Sequence, residues 1–598
     1  MDLISSRYRK PKGRPKKSRQ VKSANAKKRW AKKSLDSEQS IISSPNATNS
    51  SELDKMNSVS TNVDTNYIIM CKTLWSSLLK NIPCHECKEK TLQVSQTNSF
   101  GFSSKIFLSC ASFKKEFGSV FTSEREVEDK TFHVNNKVVE AFLAIGRGHS
   151  ALETFSMVLG TPSMDSKTFN KCMKNVCQKN KDIKFEMLEL SRNAVRDAHI
   201  RENPNLQKSA VLDISVSYDG TWQKRGYTSN LGVGCVIDIL TGIVIDFEIL
   251  SKYCHECVIS ERDLEKNSVE FKIWFAGHKN ECEKNFHGSS GSMEMHAAAV
   301  MWKRSIKEFG FRYTKMLCDG DSKTFQHLNE EKVYGPDMIQ KEECINHISK
   351  RLGTALRNKV KEWKVKKVTL GGKKPGSLKE TTITKLQNYY RKAVKDNAPD
   401  VNKMKKSIFA SLYHCMSTDS KPQHSKCPVG AESWCFFQRA IAQGETPKSH
   451  KKMKTTLSEL VVEKILPVYQ RLASDEMLSK CISAKTQNAN ESLHSCIWRK
   501  CPKEVFISKK RLELGVSTAV REYNLGYVKN ICINEENISE TDSRFLLAHK
   551  KDKKRAAQNK RKCSEIYKKQ RNEKKFKKQR NVEQEKKNEG ITYAAGAF

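Results

Sequence analysis

The sequence contains no apolar run approaching the roughly 20 residues a membrane-spanning helix requires. Its opening, MDLISSRYRK, lacks the apolar stretch of a secretory signal peptide. These absences lead us to expect an intracellular protein without a membrane-spanning helix. Acid is also scarce: 67 Asp+Glu stand against 108 Lys+Arg, a formal net charge of +41. An imbalance of that size argues for a polyanionic partner such as nucleic acid. The excess collects at the ends, where residues 1–34 hold 14 Lys/Arg and one acid, and residues 550–580 hold 16 and three. About +15 remains for the rest of the chain. An intracellular chain has no use for a disulfide framework, so the 20 cysteines are read as thiols or, where they cluster with histidine, as zinc ligands.

A length of 598 residues exceeds one hydrophobic core and predicts three or four structural units. The arm 1–34 carries Lys12-Gly13-Arg14-Pro15-Lys16, which resembles an AT-hook: the thin Gly-Arg-Pro core suits a narrow A·T-rich minor groove. A localisation signal or a nonspecific basic tail explains the same residues. Residues 35–65, rich in Ser, Asn and Thr, read as a disordered linker. Within 66–125, Cys84, Cys87 and Cys110 form an incomplete zinc ribbon, since Phe113 stands where a fourth cysteine is expected. His85 or an outlying residue would have to replace it, and reduced core cysteines are the alternative. Residues 134–205 have helical apolar spacing.

A mixed α/β body begins near 210. Leu212, Ile214, Val216 and Tyr218 alternate with polar residues up to Asp219, and two further alternating runs follow through Ile239 and Ile249. A helical stretch near 296–310 then leads to a short strand ending at Asp319. The order β-β-β-α-β, with acids closing the first and fourth strands, predicts a ribonuclease-H-like mixed sheet. That core would occupy 210–357 and resume over 476–530. A zinc insertion at about 251–290, a Lys-rich helical insertion over 358–475 and a basic tail over 540–598 complete the expected organisation.

Three acids have distinctive neighbours: Asp219 in SYDGTW, Asp319 in CDGDSKTF and Glu491 in TQNANESLHS. Hard carboxylate oxygens of this kind suit Mg2+ or Mn2+, and two ions can clamp the attacking and leaving oxygens of a phosphodiester. Asp321 is the alternative to Asp319. Each acid alone has a plain explanation, as a turn former or in a first helical turn. His494, Ser495 and Trp498 share a predicted helix face with Glu491, and packing accounts for them as readily as contact with DNA. Cys254, Cys257, His278 and Cys282 can complete a zinc tetrahedron, with His278 and Cys282 expected on one helix face. Cys344 and His347, one helical turn apart, could share zinc with distant partners; His414, His424, Cys427 and Cys435 form another set. Ordinary core residues explain both.

The blocks DGTWQKRG, LSKYCHEC, HGSSGSME, CDGDSKTF, ECINHISKRLGTALR, CPVGAESWC and TQNANESLHSCIW together resemble the Mutator-like transposase domain of animal genomes, over roughly 134–530. That resemblance implies a DDE transposase with a ribonuclease-H-like core, in which Asp219, Asp319 and Glu491 bind Mg2+. It further implies cleavage of transposon ends and strand transfer into double-stranded target DNA in the nucleus, by a homo-oligomer. Two other readings stay open: a transposase-derived DNA-binding protein that no longer transposes, and an RNA-directed nuclease on the same core.

Overall fold

The computed structural model describes residues 67–567, except 127–129, 209, 225–227, 320–321, 373 and 535–537, with scattered positions beyond 567. The arm with Lys12 to Lys16, the linker 35–65 and Asp321 therefore lie outside the described residues. Two compact units divide the chain. One takes the residues up to Val139, His149–Cys172 and Ser251–His287; the other takes Glu140–Gly148, Met173–Leu250 and Gly288 onward.

Along the chain, α1 (Lys72–Leu79) precedes an antiparallel sheet of β1 (Leu92–Phe100), β2 (Ser103–Cys110) and β3 (Lys115–Phe121). Next come α2 (His133–Ala144), α3 (His149–Leu159) and the long α4 (Ser166–Glu202). The second sheet opens with β4 (Leu212–Trp222), β5 (Leu231–Asp238) and β6 (Val244–Ser251). After β6 come α5 (His255–Asp263) and α6 (Val269–His278), then α7 (Met293–Phe309), β7 (Phe311–Cys318), α8 (Ser322–Glu330) and β8 (Gln340–Glu343). The remainder is helical: α9 (Ile345–Val365), α10 (Glu380–Asn397), α11 (Val401–Met416), α12 (Phe436–Ala442), α13 (Glu459–Leu472) and α14 (Asp475–Ser479). It ends with α15 (Asn488–Lys500), α16 (Lys509–Asn524), α17 (Gly526–Asn534) and α18 (Ser543–Cys563). No described helix is long and apolar enough to cross a membrane.

The five-stranded sheet has the order β6-β5-β4-β7-β8, with β4 antiparallel to β5 and parallel to β7, and β7 parallel to β8. Alternation predicts half-buried strands, yet every residue of β5 is buried. The reason is that helices cover both faces. On one side Leu231, Val233, Cys235 and Ile237 pack with Leu493 and Ile497 of α15 and Val516 of α16. On the other, α7 approaches so closely that a Cβ added at Gly234 would lie 3.0 Å from the Ala297 Cβ. Arg304 of α7 is tied to β6 by a two-pronged ion pair with buried Asp246, at 2.8 and 2.9 Å. A separate helical core, from Ile345 of α9 to Cys481, joins α9, α10, α11 and α13.

Three local expectations are corrected. β4 does not stop at Asp219: its pairing with β7 ends at Ser217↔Leu317, while its pairing with β5 continues to Trp222↔Gly232. His278 and Cys282 do not share a helix face, because α6 ends at His278 and a 3-10 turn, Lys279–Glu281, intervenes. Cys344 is the N-cap of α9 rather than a residue within it.

Candidate functional site

Strand register places the first two acids. Ser217 is level with Leu317 in parallel β4 and β7, so Asp219 and Asp319, each two residues further on, leave the same edge of the sheet side by side. Glu491 reaches that edge from α15, which side-chain hydrogen bonds pin to β4. Gln487 Nε2 donates to the Tyr218 carbonyl at 2.8 Å, Ser217 Oγ donates to Asn490 Oδ1 at 2.6 Å, and Trp498 Nε1 donates to Thr221 Oγ1 at 2.8 Å. Trp498 is thus a packing residue, while Ser495 is exposed.

The three carboxylates share one electrostatic field. Burial, reinforced by the facing charge of Asp319, pushes the Asp219 carboxyl up to about 7; Glu491 adds in the same sense, while His347 and the Gly220 amide oppose. Lys350 Nζ stands 4.0 Å from Glu491 Oε1. His494 Nδ1 lies 3.7 Å from Asp219 Oδ2, and burial, then the charge of Lys503, holds its pKa down to about 4. Its Nε2 is buried and has no hydrogen-bond partner. A fourth acid, Glu294, lies in the first turn of α7 against β4: a Cβ at Gly220 would meet its Cδ at 3.2 Å. It closes the block HGSSGSME, which carried the signal without a role being attached to it.

A cleft of about 460 Å³ runs from Asp319 past His347, Lys350, Thr354 and Asn358 to Arg471. Lys350, Thr354 and Asn358 fall four apart, on one stripe of α9. Sequence reasoning missed this cleft because Arg471 comes from α13, 121 positions after Lys350.

Cysteine and histidine gather at three places among the described residues, each with ligand atoms within 4.8 Å of one another. In the first, Cys254 Sγ lies 3.3 Å from His278 Nε2 and Cys257 Sγ lies 3.5 Å from Cys282 Sγ. Glu256 meets the other ring nitrogen, with Oε2 3.2 Å from His278 Nδ1. The second set is His414, His424, Cys427 and Cys435, all buried. The third is Cys84, Cys87 and Cys110. His85, the neighbour expected to replace the missing fourth cysteine, is exposed, as is Phe113 at the position of that cysteine, and Thr91 Oγ1 lies 3.2 Å from Cys87 Sγ and 3.1 Å from Cys110 Sγ. All three sets could bind zinc. Cys344 beside it raises the His347 pKa, with Asp319 adding in the same sense, while burial and the charge of Lys350 oppose, and the pair belongs to none of these sets. No disulfide joins any of the 20 cysteines.

A family model described as Mutator-like transposase matches residues 65–435. It takes in the three-cysteine module, which lies before the stretch where the sequence blocks begin, and stops short of Glu491. No curated protein matches the chain.

Proposed function

The chain belongs to the Mutator-like transposase family, and from that premise we propose that it is a DDE transposase, a metal-dependent enzyme that cuts transposon ends and joins them to target DNA in the nucleus. The observation that carries this reading is the register-matched placement of Asp219 and Asp319 on adjacent parallel strands, with Glu491 pinned alongside on α15. The sheet order supports a ribonuclease-H-like core, since three antiparallel strands are followed by two parallel ones on the far side of the first.

The donor set fits a hard divalent cation. Burial, then the facing carboxylate of Asp319, pushes the Asp219 pKa up to about 7, and acids gathered in this way form a site of negative potential that a cation relieves. The chemistry proposed here calls for two such ions. Asp219, Asp319 and Glu491 would hold them, with Glu294 within reach through Gly220. When bound, Mg2+ would acidify water and stabilise charge on phosphodiester oxygens. The protein's own residues orient and shield. Gln487 and Asn490 fix the helix carrying Glu491, and neutral His494 fills the space behind Asp219 without adding a competing positive charge.

The cleft beyond Asp319 supplies the phosphate track. Lys350 and Arg471 would neutralise the DNA backbone, and Thr354 and Asn358 would donate hydrogen bonds to it. Replacing Lys350 and Arg471 by alanine is expected to lower the slope of log binding constant against log salt by about one per residue. An unchanged slope in a filter-binding titration would remove these residues from the track.

Strand cleavage of duplex DNA carrying terminal inverted repeats, with Mg2+ or Mn2+, tests the enzyme assignment. Binding without cleavage by the unsubstituted chain favours the second reading, a transposase-derived DNA-binding protein. One observation supports that alternative: the three-cysteine set, where Thr91 sits between sulfurs at the place a complete ribbon would give to a fourth ligand.

A further inference from the structure

We infer that the helical insertion contains a zinc centre built from His414, His424, Cys427 and Cys435, and that His450 and Asp419, which are not ligands, set its geometry through a hydrogen-bonded relay running from the buried imidazoles to the exposed Asp419. The ligand distances are those of a tetrahedron. Zn–N bonds of about 2.05 Å and Zn–S bonds of about 2.3 Å put tetrahedral neighbours about 3.3 Å apart for N···N and about 3.6 Å for N···S. Here the His414 and His424 Nδ1 atoms are 3.2 Å apart. Cys435 Sγ lies 3.5 and 3.4 Å from those nitrogens, and Cys427 Sγ lies 3.8 Å from each. Two thiolates balance the charge of Zn2+, their protons being released on binding, and two neutral imidazoles complete the shell. All four ligands are buried, and Phe437 stacks on His424 with centroids 4.3 Å apart, so the centre has four protein ligands and no open position for water.

The relay follows from which nitrogen faces the metal. His424 must present its Nδ1 lone pair to the ion, so its proton is on Nε2. That Nε2 is 2.8 Å from His450 Nε2, which must therefore be the acceptor. His450 then carries its own proton on Nδ1, which lies 2.7 Å from Asp419 Oδ1. Asp419 is held in turn by Ser449 Oγ at 2.6 Å and by the His450 backbone N–H at 2.7 Å. Each proton has one place, and the chain of donors ends on a carboxylate that only accepts. His450 and Asp419 are thus positioning residues for His424, as Glu256 is for His278 at the other centre, but one imidazole further removed. A ligand that could flip its tautomer would present an N–H to the metal for part of the time.

The inference depends on this cluster binding metal, and the test separates the two. Metal content of the purified full chain is measured by mass spectrometry, and affinity by competition with a chelator. Cys435→Ser is expected to remove one metal equivalent; an unchanged count would overturn the centre and the relay together. His450→Leu, which removes the acceptor, is expected to weaken metal at this centre about 10–100-fold. His450→Gln, whose Oε1 can accept from His424 Nε2, is expected to stay within about threefold of the unsubstituted chain. Equal losses in the Leu and Gln variants, or none in either, would overturn the relay while leaving the centre standing. Cobalt substitution reports geometry directly: the d–d bands of an S2N2 site should persist in His450→Gln and change in His450→Leu. Hydrogen-exchange protection retained in α9, α10 and α13 shows that each variant is folded.

Discussion

Asp219→Asn is expected to lower DNA strand cleavage by a factor on the order of a thousand or more, while making the metal-free protein more stable above pH 7. The first effect follows from the proposed role of Asp219, which would hold the metal ions: the amide removes a charged oxygen from the set that would bind them and would stabilise the transition state through them. The second follows from the raised pKa. Burial and the facing charge of Asp319 hold the Asp219 carboxyl near 7, whereas an unfolded aspartate titrates near 4. Between those values the folded protein binds a proton that the unfolded chain does not. Stability contributed by this group is therefore present at low pH and lost as pH rises through about 4 to 7. A neutral amide removes that loss, stabilising the metal-free protein by up to about 4 kcal/mol. Thermal unfolding in chelator at pH 5 and pH 8 measures the stability arm, and cleavage with Mg2+ measures the other. Full cleavage activity in the variant would sink the catalytic assignment; a melting temperature that responds to pH as in the unsubstituted chain would sink the electrostatic one.

The second large effect is expected at the Cys254 centre. Replacing Cys257 by serine, or removing metal with chelator, should unfold residues 251–287 locally. This segment has little core of its own. α5 and α6 are 9 and 10 residues long, and Val258, Val269 and Ile273 are exposed at 47%, 69% and 70%. Helices this short are marginal in water without packing. What is buried in them is Cys257, Ser260 and His278, with Cys254 as the N-cap of α5, so the ligands themselves are the interior. Structural zinc provides on the order of 10 kcal/mol in small domains, enough to decide whether such a segment folds. Hydrogen exchange should show protection collapsing across 251–287 while β4 and β5 stay protected. Retained protection there after metal removal would show that packing alone holds the segment.

Much of this molecule is written locally. The alternation over 212–219 specifies a strand, the apolar stripe of Ile345, Ile348, Leu352 and Leu356 specifies a helix, and Cys254-x2-Cys257 marks a pair of candidate metal ligands, because each signal is complete within a dozen residues. The acids were legible as candidates for the same reason, through short blocks with unusual neighbours. The burial of β5 on both faces was not legible, since alternation in one strand cannot tell how many layers will cover it. Nor was His494: a histidine three residues after an acid reads as helix packing, and only the fold sets it 3.7 Å from Asp219 with its pKa held down by burial and by Lys503.

By itself, the sequence determined the element types, the strong positive charge, the family blocks and the identity of most metal-ligand candidates. Tertiary structure alone decided which of them meet. It separated Cys344 and His347 from the His414 set, brought Arg471 to Lys350, placed Glu294 against Gly220 and joined His450 and Asp419 to His424. The physical reason is range. Propensity and periodicity act over one or two turns of chain, whereas the groups that build a site are chosen by strand register and helix packing, which bring together residues more than a hundred positions apart.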